Sequence, residues 1–207
     1  KVKTIILSDD IESPAKNFAD DFIYSNYNDN EKINNFLNKV DLVTYEFENI
    51  PFKTLNKINK LKKVLPEPSI NKILQNRYTE KKFLNSLNIF TTPYSLVKNI
   101  NDLNLNSNLV PGILKTSTLG YDGKGQYKID SIKTVKEVNI NFEKEYVLEK
   151  FVDLKKEISV IITRFGHQKY EIFEPIENSH EDQILKLSKI PAEIDEVLIK
   201  KSLEWAS

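Results

Sequence analysis

Glycine is concentrated in one short stretch of this chain. The 207 residues contain only five glycines, and three of them, Gly120, Gly123 and Gly125, lie within "LGYDGKGQ". The flanking runs "GILKT" and "QYKID" have the composition of short β-strands. A simple hairpin uses about two to five loop residues, whereas residues 117–125 separate these runs. This part of the chain is therefore predicted to form two antiparallel strands joined by a long loop.

The same loop has features of an anion-binding site. Glycine allows backbone N–H groups to converge on an anion, and Lys115 and Lys124 add positive charge. The predicted strand–loop–strand context differs from a P-loop and from a dinucleotide fingerprint, in which the glycines precede a helix. The glycine pattern alone leaves two interpretations open, a phosphate-binding loop and a hairpin that binds no ligand.

The first third of the chain alternates predicted strands with short helices. Residues 30–39 have apolar side chains at helical spacing, and Ser13 followed by Pro14 is a typical helix start. We expect Phe18, Ala19 and Phe22 to face a core. This order indicates an α/β layer with a parallel sheet. The predicted strands are "VKTIIL", "DFIYSNY" and "DLVTYEFEN".

The pattern of predicted secondary structure changes after "PEPS" at residues 66–69. A helix is predicted over residues 70–87, with Ser69 as its N-cap. From residue 94 onward, short strands follow one another with short turns between them, which predicts an antiparallel, hairpin-rich subdomain. A last helix is predicted over residues 193–205.

The composition excludes several classes of function. Lys plus Arg and Asp plus Glu number 30 each, so a bulk electrostatic interaction with nucleic acid or with a membrane surface is not expected. The absence of cysteine excludes disulfides, thiolate metal sites and cysteine nucleophiles, and it fits a reducing compartment. No apolar run approaches the ~20 residues of a membrane span. We therefore expect a cytoplasmic protein.

Two glutamates flank the junction between predicted strands downstream of the loop. Glu149 ends one strand and Glu157 begins the next. Such a strand end offers backbone groups to a base and carboxylates to a ribose or an amino group. The alternative is a pair of solvated glutamates, which are ordinary in a chain that is 29% charged.

Five strings together resemble one enzyme family. They occur in the order "VDLVTYEFENIP", "QNRYTEKKFL", "LKTSTLGYDGKGQ", "LEKFVDLKKEISVIITR" and "PIENSHEDQIL". The chain is similar over nearly its whole length to the ATP-grasp enzymes of purine biosynthesis known as 5-(carboxyamino)imidazole ribonucleotide synthases. The pair "TYEFENIP" and "GYDGKGQ" is the most specific part of the resemblance.

The resemblance implies an α/β fold with an α+β lid, an ATP-grasp fold that follows an incomplete Rossmann-like pre-ATP-grasp domain. The implied division has three parts. Residues 1–68 are the partial pre-ATP-grasp domain, residues 69–167 the helical connector and lid subdomain, and residues 168–207 the beginning of the C-terminal ATP-grasp subdomain.

The resemblance also implies roles for individual residues. Lys115, Tyr121 and Lys124 correspond to catalytic positions, and Glu48, Tyr121 and Lys124 face the second substrate. His167 is expected to be an ordinary turn residue, and Glu46 is expected to pack or hydrogen-bond within its own strand. The residues expected at ATP are Arg77, Lys115, Gly120, Tyr121, Asp122, Gly123, Lys124, Gly125, Gln126, Glu149, Lys150, Phe151, Val152, Glu157 and His180.

The implied reaction has two steps and uses ATP with Mg²⁺. Bicarbonate attacks the γ-phosphate of ATP to give carboxyphosphate and ADP, and the amine of 5-aminoimidazole ribonucleotide is then carboxylated with loss of phosphate. A homodimer is expected for the full-length enzyme. Two alternatives stay open: another ATP-grasp ligase, such as a formate-dependent glycinamide ribonucleotide transformylase, and a nucleotide-binding module without catalysis.

The chain departs from the family pattern in the loop and at its ends. Ser117, Thr118 and Leu119 occupy a segment where the family has a second glycine and often an arginine. The glycine-rich first strand and helix of the family do not occur here, and the two acidic Mg²⁺ ligands are expected beyond Ser207. We therefore expect an internal fragment of the enzyme that does not turn over ATP by itself.

Overall fold

The computed structural model describes residues 2–120, 125–133, 135, 140–166 and 169–207. The chain forms two compact units, Lys1–Phe83 and Leu84–Ser207. In the described ranges, no helix has the length and apolar character needed to cross a membrane.

The first unit contains short parallel strand pairs and helices. β1 pairs with β2 in parallel, and β3 pairs with β4 in parallel, in two separate two-stranded sheets. The parallel arrangement predicted from the alternation of strands and helices is therefore confirmed. The elements are β1 (Ile5–Ser8), a 3₁₀ helix (Pro14–Phe18), β2 (Asp21–Tyr24), α1 (Asn30–Leu37), β3 (Val43–Thr44), α2 (Phe52–Asn59), β4 (Val64–Leu65) and α3 (Pro68–Leu74), followed by α4 (Arg77–Ser86), which continues into the second unit.

One helix shows how the sequence builds this core. The Asp29 side chain accepts hydrogen bonds from the N–H groups of Glu31 and Lys32 and so caps α1. The predicted apolar face is buried, and its residues pack with Val43 of β3 and with side chains of α2. Phe18 is 87% exposed, so its predicted place in a core is wrong; it ends a single 3₁₀ turn without buried residues.

The predicted helix over residues 70–87 is two helices. α3 ends at Leu74 and α4 begins at Arg77, because the Asn76 side chain accepts hydrogen bonds from the N–H groups of Tyr78 and Thr79 and so starts a new helix. The predicted N-cap was also wrong: α3 is preceded by Glu67 as N-cap, and Pro68 is its first residue.

The second unit is rich in antiparallel strands, as the sequence predicts. One sheet has the strand order β5-β8-β6-β7, another has the order β13-β12-β9, and β10 pairs with β11. Its elements are β5 (Tyr94–Val97), α5 (Ile100–Leu105), a 3₁₀ helix (Ser107–Leu109), β6 (Gly112–Thr116), β7 (Gln126–Ile129), β8 (Tyr146–Lys150), β9 (Glu157–Ser159), β10 (Ile162–Gly166), β11 (Lys169–Ile172), β12 (Ile176–Glu181), β13 (Ile184–Lys189) and α6 (Glu196–Ala206).

Candidate functional site

Lys115 and Glu149 form an ion pair on one face of the four-stranded sheet. Glu149 lies opposite Ile113 in the antiparallel pairing of β6 and β8, and side chains two residues apart on a strand share a face. The Lys115 Nζ therefore reaches the Glu149 Oε2 at 2.9 Å. The Glu149 side chain is 10% exposed and the Lys115 side chain 21%. The register of β6 and β8 thus brings together two residues that were predicted separately from the sequence.

The glycine-containing loop begins and ends beside Lys115. Lys115 pairs with Gln126 across β6 and β7, and the Thr116 N–H donates to the Gly125 carbonyl at 2.9 Å. Gly125 has a φ of +73°, a conformation that favours glycine. The loop is therefore rooted at the lysine. Four of its predicted site residues, Tyr121, Asp122, Gly123 and Lys124, lie outside the described residues, as does His167.

The segment that departs from the family pattern has an unusual backbone. Leu119 has a φ of +58°, a left-handed conformation that costs a non-glycine residue about 1–2 kcal/mol. Its side chain is 69% exposed. Ser117 is 2% exposed, and in the described part of the chain its hydroxyl has no hydrogen-bond partner. The first half of the loop therefore combines a strained residue with an unsatisfied buried hydroxyl.

Backbone groups at the end of β8 are bound by neighbouring segments. The Lys150 N–H donates to the Pro93 carbonyl at 2.9 Å, and the Phe151 N–H donates to the Pro111 carbonyl at 3.0 Å. The Thr92 hydroxyl donates to the Lys150 carbonyl at 2.9 Å. These contacts fix the backbone of Lys150 and Phe151, which the resemblance places at ATP, while the side chains of Phe151 and Val152 are 44% and 49% exposed.

Two further residues that were predicted separately meet on the three-stranded sheet. Glu157 of β9 lies opposite Asn178 of β12, and His180 follows two residues later on the same face. The His180 Nδ1 lies 3.0 Å from the Glu157 Oε2, with side-chain exposures of 32% and 51%. Glu157 and His180 are thus brought together at an accessible position.

The first unit contains Glu48 and Arg77. Glu48 lies exposed in a turn, and Gln75 fixes its segment by donating from Nε2 to the carbonyls of Glu48 and Ile50, both at 2.6 Å. Sequence reasoning missed Gln75; the only signal was its place in the string "QNRYTEKKFL". Arg77 is the first residue of α4. Glu46 is expected to pack or hydrogen-bond within its own strand, but it is exposed and lies beyond the end of β3 at Thr44, so this prediction is wrong.

Glu177 and Asn178, an acid and an amide in sequence, are engaged within the protein. Glu177 Oε2 accepts from the Lys156 Nζ at 2.8 Å and from the Glu193 N–H at 3.0 Å. Both hydrogen bonds lower the pKa of Glu177, and the one from Lys156 has the larger effect. Asn178 is hydrogen-bonded to the side chains of Ser159 and Ser188. Across the described ranges, no three His, Cys, Asp or Glu residues cluster as metal ligands would.

Comparisons with known proteins agree with this arrangement. Residues 82–207 match the family model of the ATP-grasp domain, and residues 1–75 match the ribonucleotide synthetase preATP-grasp domain. The chain is 38% identical over 93% of its length to the N5-carboxyaminoimidazole ribonucleotide synthase of Brucella melitensis biotype 1, and 34% identical over 93% to that of Staphylococcus aureus (strain COL). It covers 54% and 52% of these relatives, so it spans about half of their length.

Solved structures of such enzymes have the same fold. An ADP complex of an N5-carboxyaminoimidazole ribonucleotide synthetase, 35% identical, superposes with a TM-score of 0.92 over 99% of this chain and 55% of that chain. The S. aureus N5-carboxyaminoimidazole synthetase complexed with ADP, 32% identical, gives a TM-score of 0.89 over 98% and 56%. The resemblance inferred from the motifs is thereby confirmed, and the chain belongs to the ATP-grasp family, with a ribonucleotide synthetase preATP-grasp domain preceding its ATP-grasp domain.

Proposed function

We propose that the chain supplies the ATP-binding part of an enzyme of de novo purine (IMP) biosynthesis that carboxylates 5-aminoimidazole ribonucleotide. The substrates are ATP, bicarbonate and the ribonucleotide, and the products are 5-carboxyaminoimidazole ribonucleotide, ADP and phosphate. The observation that carries the proposal is the half-buried ion pair of Lys115 and Glu149 at the root of the glycine-containing loop.

Lys115 has the properties of a phosphate-binding residue. Its ammonium group lies in a partly desolvated position, where a charge interacts more strongly than in bulk water. A nucleotide phosphate would compete with the Glu149 carboxylate for the same cation. The loop from Gly120 to Gln126, including the proposed catalytic residues Tyr121 and Lys124, would supply N–H groups and a second positive charge.

The remaining predicted residues complete the proposed site. Residues 149–152 would lie at the base, and Glu157 with His180 would accept from or donate to the ribose. Arg77 is proposed to approach the nucleotide, and Glu48 to contact the ribonucleotide substrate. Because phosphoryl transfer relies mainly on positioning and charge neutralisation, no side-chain nucleophile is needed.

Mg²⁺, a homodimer and a cytoplasmic location are also part of the proposal. Mg²⁺ would accompany ATP and neutralise its phosphates, and we assign it no ligand among the described residues. The division at residues 68/69 and 167/168 is likewise proposed, with residues 69–167 as the nucleotide-facing lid.

A chimera tests the proposed reaction. Residues of this chain replace the matching residues of the Brucella melitensis relative, and ADP release is measured with and without bicarbonate and 5-aminoimidazole ribonucleotide. We expect release that depends on both substrates, and a loss of about 10²-fold or more in the Lys115→Ala chimera. Turnover with formate and glycinamide ribonucleotide instead, or ATP binding without any turnover, would contradict the proposal.

A further inference from the structure

In the described ranges, one buried polar side chain lacks a hydrogen-bond partner. Ser117 is 2% exposed, and no donor or acceptor lies within hydrogen-bonding distance of its Oγ. A buried hydroxyl without a partner lowers the stability of a fold and is rare in native proteins. The residues of this chain enclose the hydroxyl by themselves, so its burial needs no other segment. The cost of the hydroxyl in the free protein points to a role in another state.

Ser117 continues the pairing of β6 with β8. The pairing places Thr116 opposite Tyr146, and the Ser117 N–H donates to the Glu145 carbonyl at 2.9 Å, one step further along. The Glu145 carboxylate is bound by the exposed Lys98. Since alternate side chains of a strand share a face, Ser117 lies on the same face as Lys115.

The hydrophobic core confirms which face this is. Leu114 of β6 and Leu148 of β8 belong to the buried cluster of the second unit. Both alternate along their strands with Lys115 and Glu149, so the ion pair lies on the opposite face of the sheet. Ser117 therefore belongs to the face that carries the proposed ATP site, and its hydroxyl does not point into the core.

Three side chains follow one another along this face of β6. Ile113 lies opposite Glu149, Lys115 comes two residues later, and Ser117 two residues after that. Each step covers roughly 6.6 Å along the strand. With the base at residues 149–152 and the phosphates at Lys115, as proposed above, a nucleotide extends along β6 towards Ser117. Its terminal phosphate would then be the group nearest to the unpartnered hydroxyl.

Leu119 shows that the segment after β6 is not in its most favourable conformation. Its φ of +58° is left-handed, which is unfavourable for a residue with a branched side chain. Strain of this kind is concentrated at binding sites. A nucleotide reaches the enclosed hydroxyl only if residues 117–119 change conformation, and the strain at Leu119 lowers the cost of that change. One rearrangement can therefore relieve both unfavourable features.

We propose that Ser117 is a specificity-determining residue of the ATP site, and that its hydroxyl donates a hydrogen bond to the terminal phosphate of a nucleoside triphosphate. The inference rests on the proposed function, in which Lys115 binds the phosphates. A hydrogen bond to an ionised phosphate is stronger than one between neutral groups. A nucleoside diphosphate bound in the same place does not extend as far along β6, so the hydroxyl favours ATP over ADP.

Calorimetric titration of the 207-residue chain tests this preference. ATP and ADP are each titrated, at one Mg²⁺ concentration, into the parent and into Ser117→Ala. The substitution is expected to weaken ATP binding about threefold to tenfold and to leave the affinity for ADP unchanged. Thr118→Ala is the matched control, because it removes a hydroxyl from the next residue, which is exposed. It is expected to bind both nucleotides like the parent.

Thermal unfolding without nucleotide separates binding from a structural role. Ser117→Ala removes a buried hydroxyl that has no partner, so the midpoint of unfolding is expected to rise by about 2–4 °C. Thr118→Ala should leave the midpoint unchanged. A variant that is more stable than the parent and yet binds ATP more weakly is the combination that the inference predicts. A hydroxyl that only supports the fold would give a lower midpoint.

The outcomes distinguish this inference from the proposed function. If the parent binds ATP and Ser117→Ala binds it equally well, the inference is wrong and the proposed function stands. The same holds if ATP and ADP lose equal affinity, or if the midpoint of Ser117→Ala falls. If the parent binds neither nucleotide, the proposed ATP site is wrong, and the inference fails with it.

Discussion

Gly125 lies close to Thr116 at the root of the glycine-containing loop. A Cβ atom at Gly125 would lie 2.7 Å from the Thr116 Oγ1, and the φ of +73° is itself unfavourable for other residues. Sequence reasoning assigned this glycine to anion binding. The structure shows a packing reason for the glycine, because only a residue without a side chain fits this close to Thr116 of β6.

Gly125→Ala is expected to destabilise the chain by at least about 1–2 kcal/mol from backbone strain alone, with a further cost from the clash. Urea unfolding measures the loss. Thr116→Ala is the matched variant. It removes the Thr116 Oγ1 and Cγ2 atoms, which are closest to the Cβ added at position 125, and leaves the Thr116 Cβ at 3.4 Å from it. The double variant should therefore lose less stability than the sum of the single variants, and strict additivity would rule out the clash.

The sequence analysis named candidate site residues one by one, but it did not predict which of them meet. Lys115 and Glu149 are 34 positions apart, and only the register of β6 against β8 shows that they meet. The contact of Glu157 with His180 depends in the same way on β9 and β12. Gln75 carried no recognisable chemistry in sequence, because an amide that supports a turn has no pattern of its own.

At the scale of elements, Glu177 connects β12 to two other segments. Its carboxylate accepts from Lys156, which precedes β9, and from the Glu193 N–H, which precedes α6. The hydrogen bond from Lys156, followed by that from Glu193, lowers the pKa of Glu177 in the folded protein. The ionised form is therefore favoured by folding.

The lowered pKa of Glu177 determines how the stability of the fold depends on pH. A carboxyl group with a lowered folded pKa stabilises the fold above its unfolded pKa, and this contribution is lost as the pH falls from about 4.3 through the folded value. Glu177→Gln is expected to lower stability at pH 7 and to flatten the acid side of the stability curve. Thermal unfolding between neutral and acidic pH measures both effects, and an unchanged acid side would show that Glu177 does not contribute.

The helices show the limit of periodicity. Residues 70–87 have one continuous apolar pattern, and the chain nevertheless breaks at Gln75 and Asn76, because a capping side chain and a turn-supporting amide compete with helix continuation. Whether strands are parallel or antiparallel was predictable in both units. Alternation with helices indicates parallel strands, closely spaced turns indicate antiparallel ones, and both patterns can be read along the sequence. The exact strand ends were not, as the two-residue β3 shows.

At the scale of the whole molecule, the described residues form two separate hydrophobic cores. One cluster, which includes Ile33, Leu55 and Val64, lies in Lys1–Phe83, and the other, which includes Leu114 and Leu148, lies in Leu84–Ser207. No residue belongs to both clusters as described. Each unit therefore has its own source of stability.

Leu55→Ala tests this separation. Leu55 is 2% exposed, and a buried leucine replaced by alanine typically costs about 2–5 kcal/mol. Hydrogen exchange should accelerate for amides of β1–β4 and remain unchanged for amides of β6 and β8. Leu114→Ala is the reciprocal variant, and equal acceleration in both units after either change would contradict separate cores.

The central claim is that Lys115, paired with Glu149, is the phosphate-binding cation of an ATP site. The most direct test is the affinity of the 207-residue chain for ATP, measured by isothermal titration calorimetry. We expect saturable binding that Lys115→Ala weakens about tenfold or more. Lys98→Ala, which removes an exposed lysine paired with Glu145, should bind like the parent. Equal ATP affinity in the parent and in Lys115→Ala would contradict the claim.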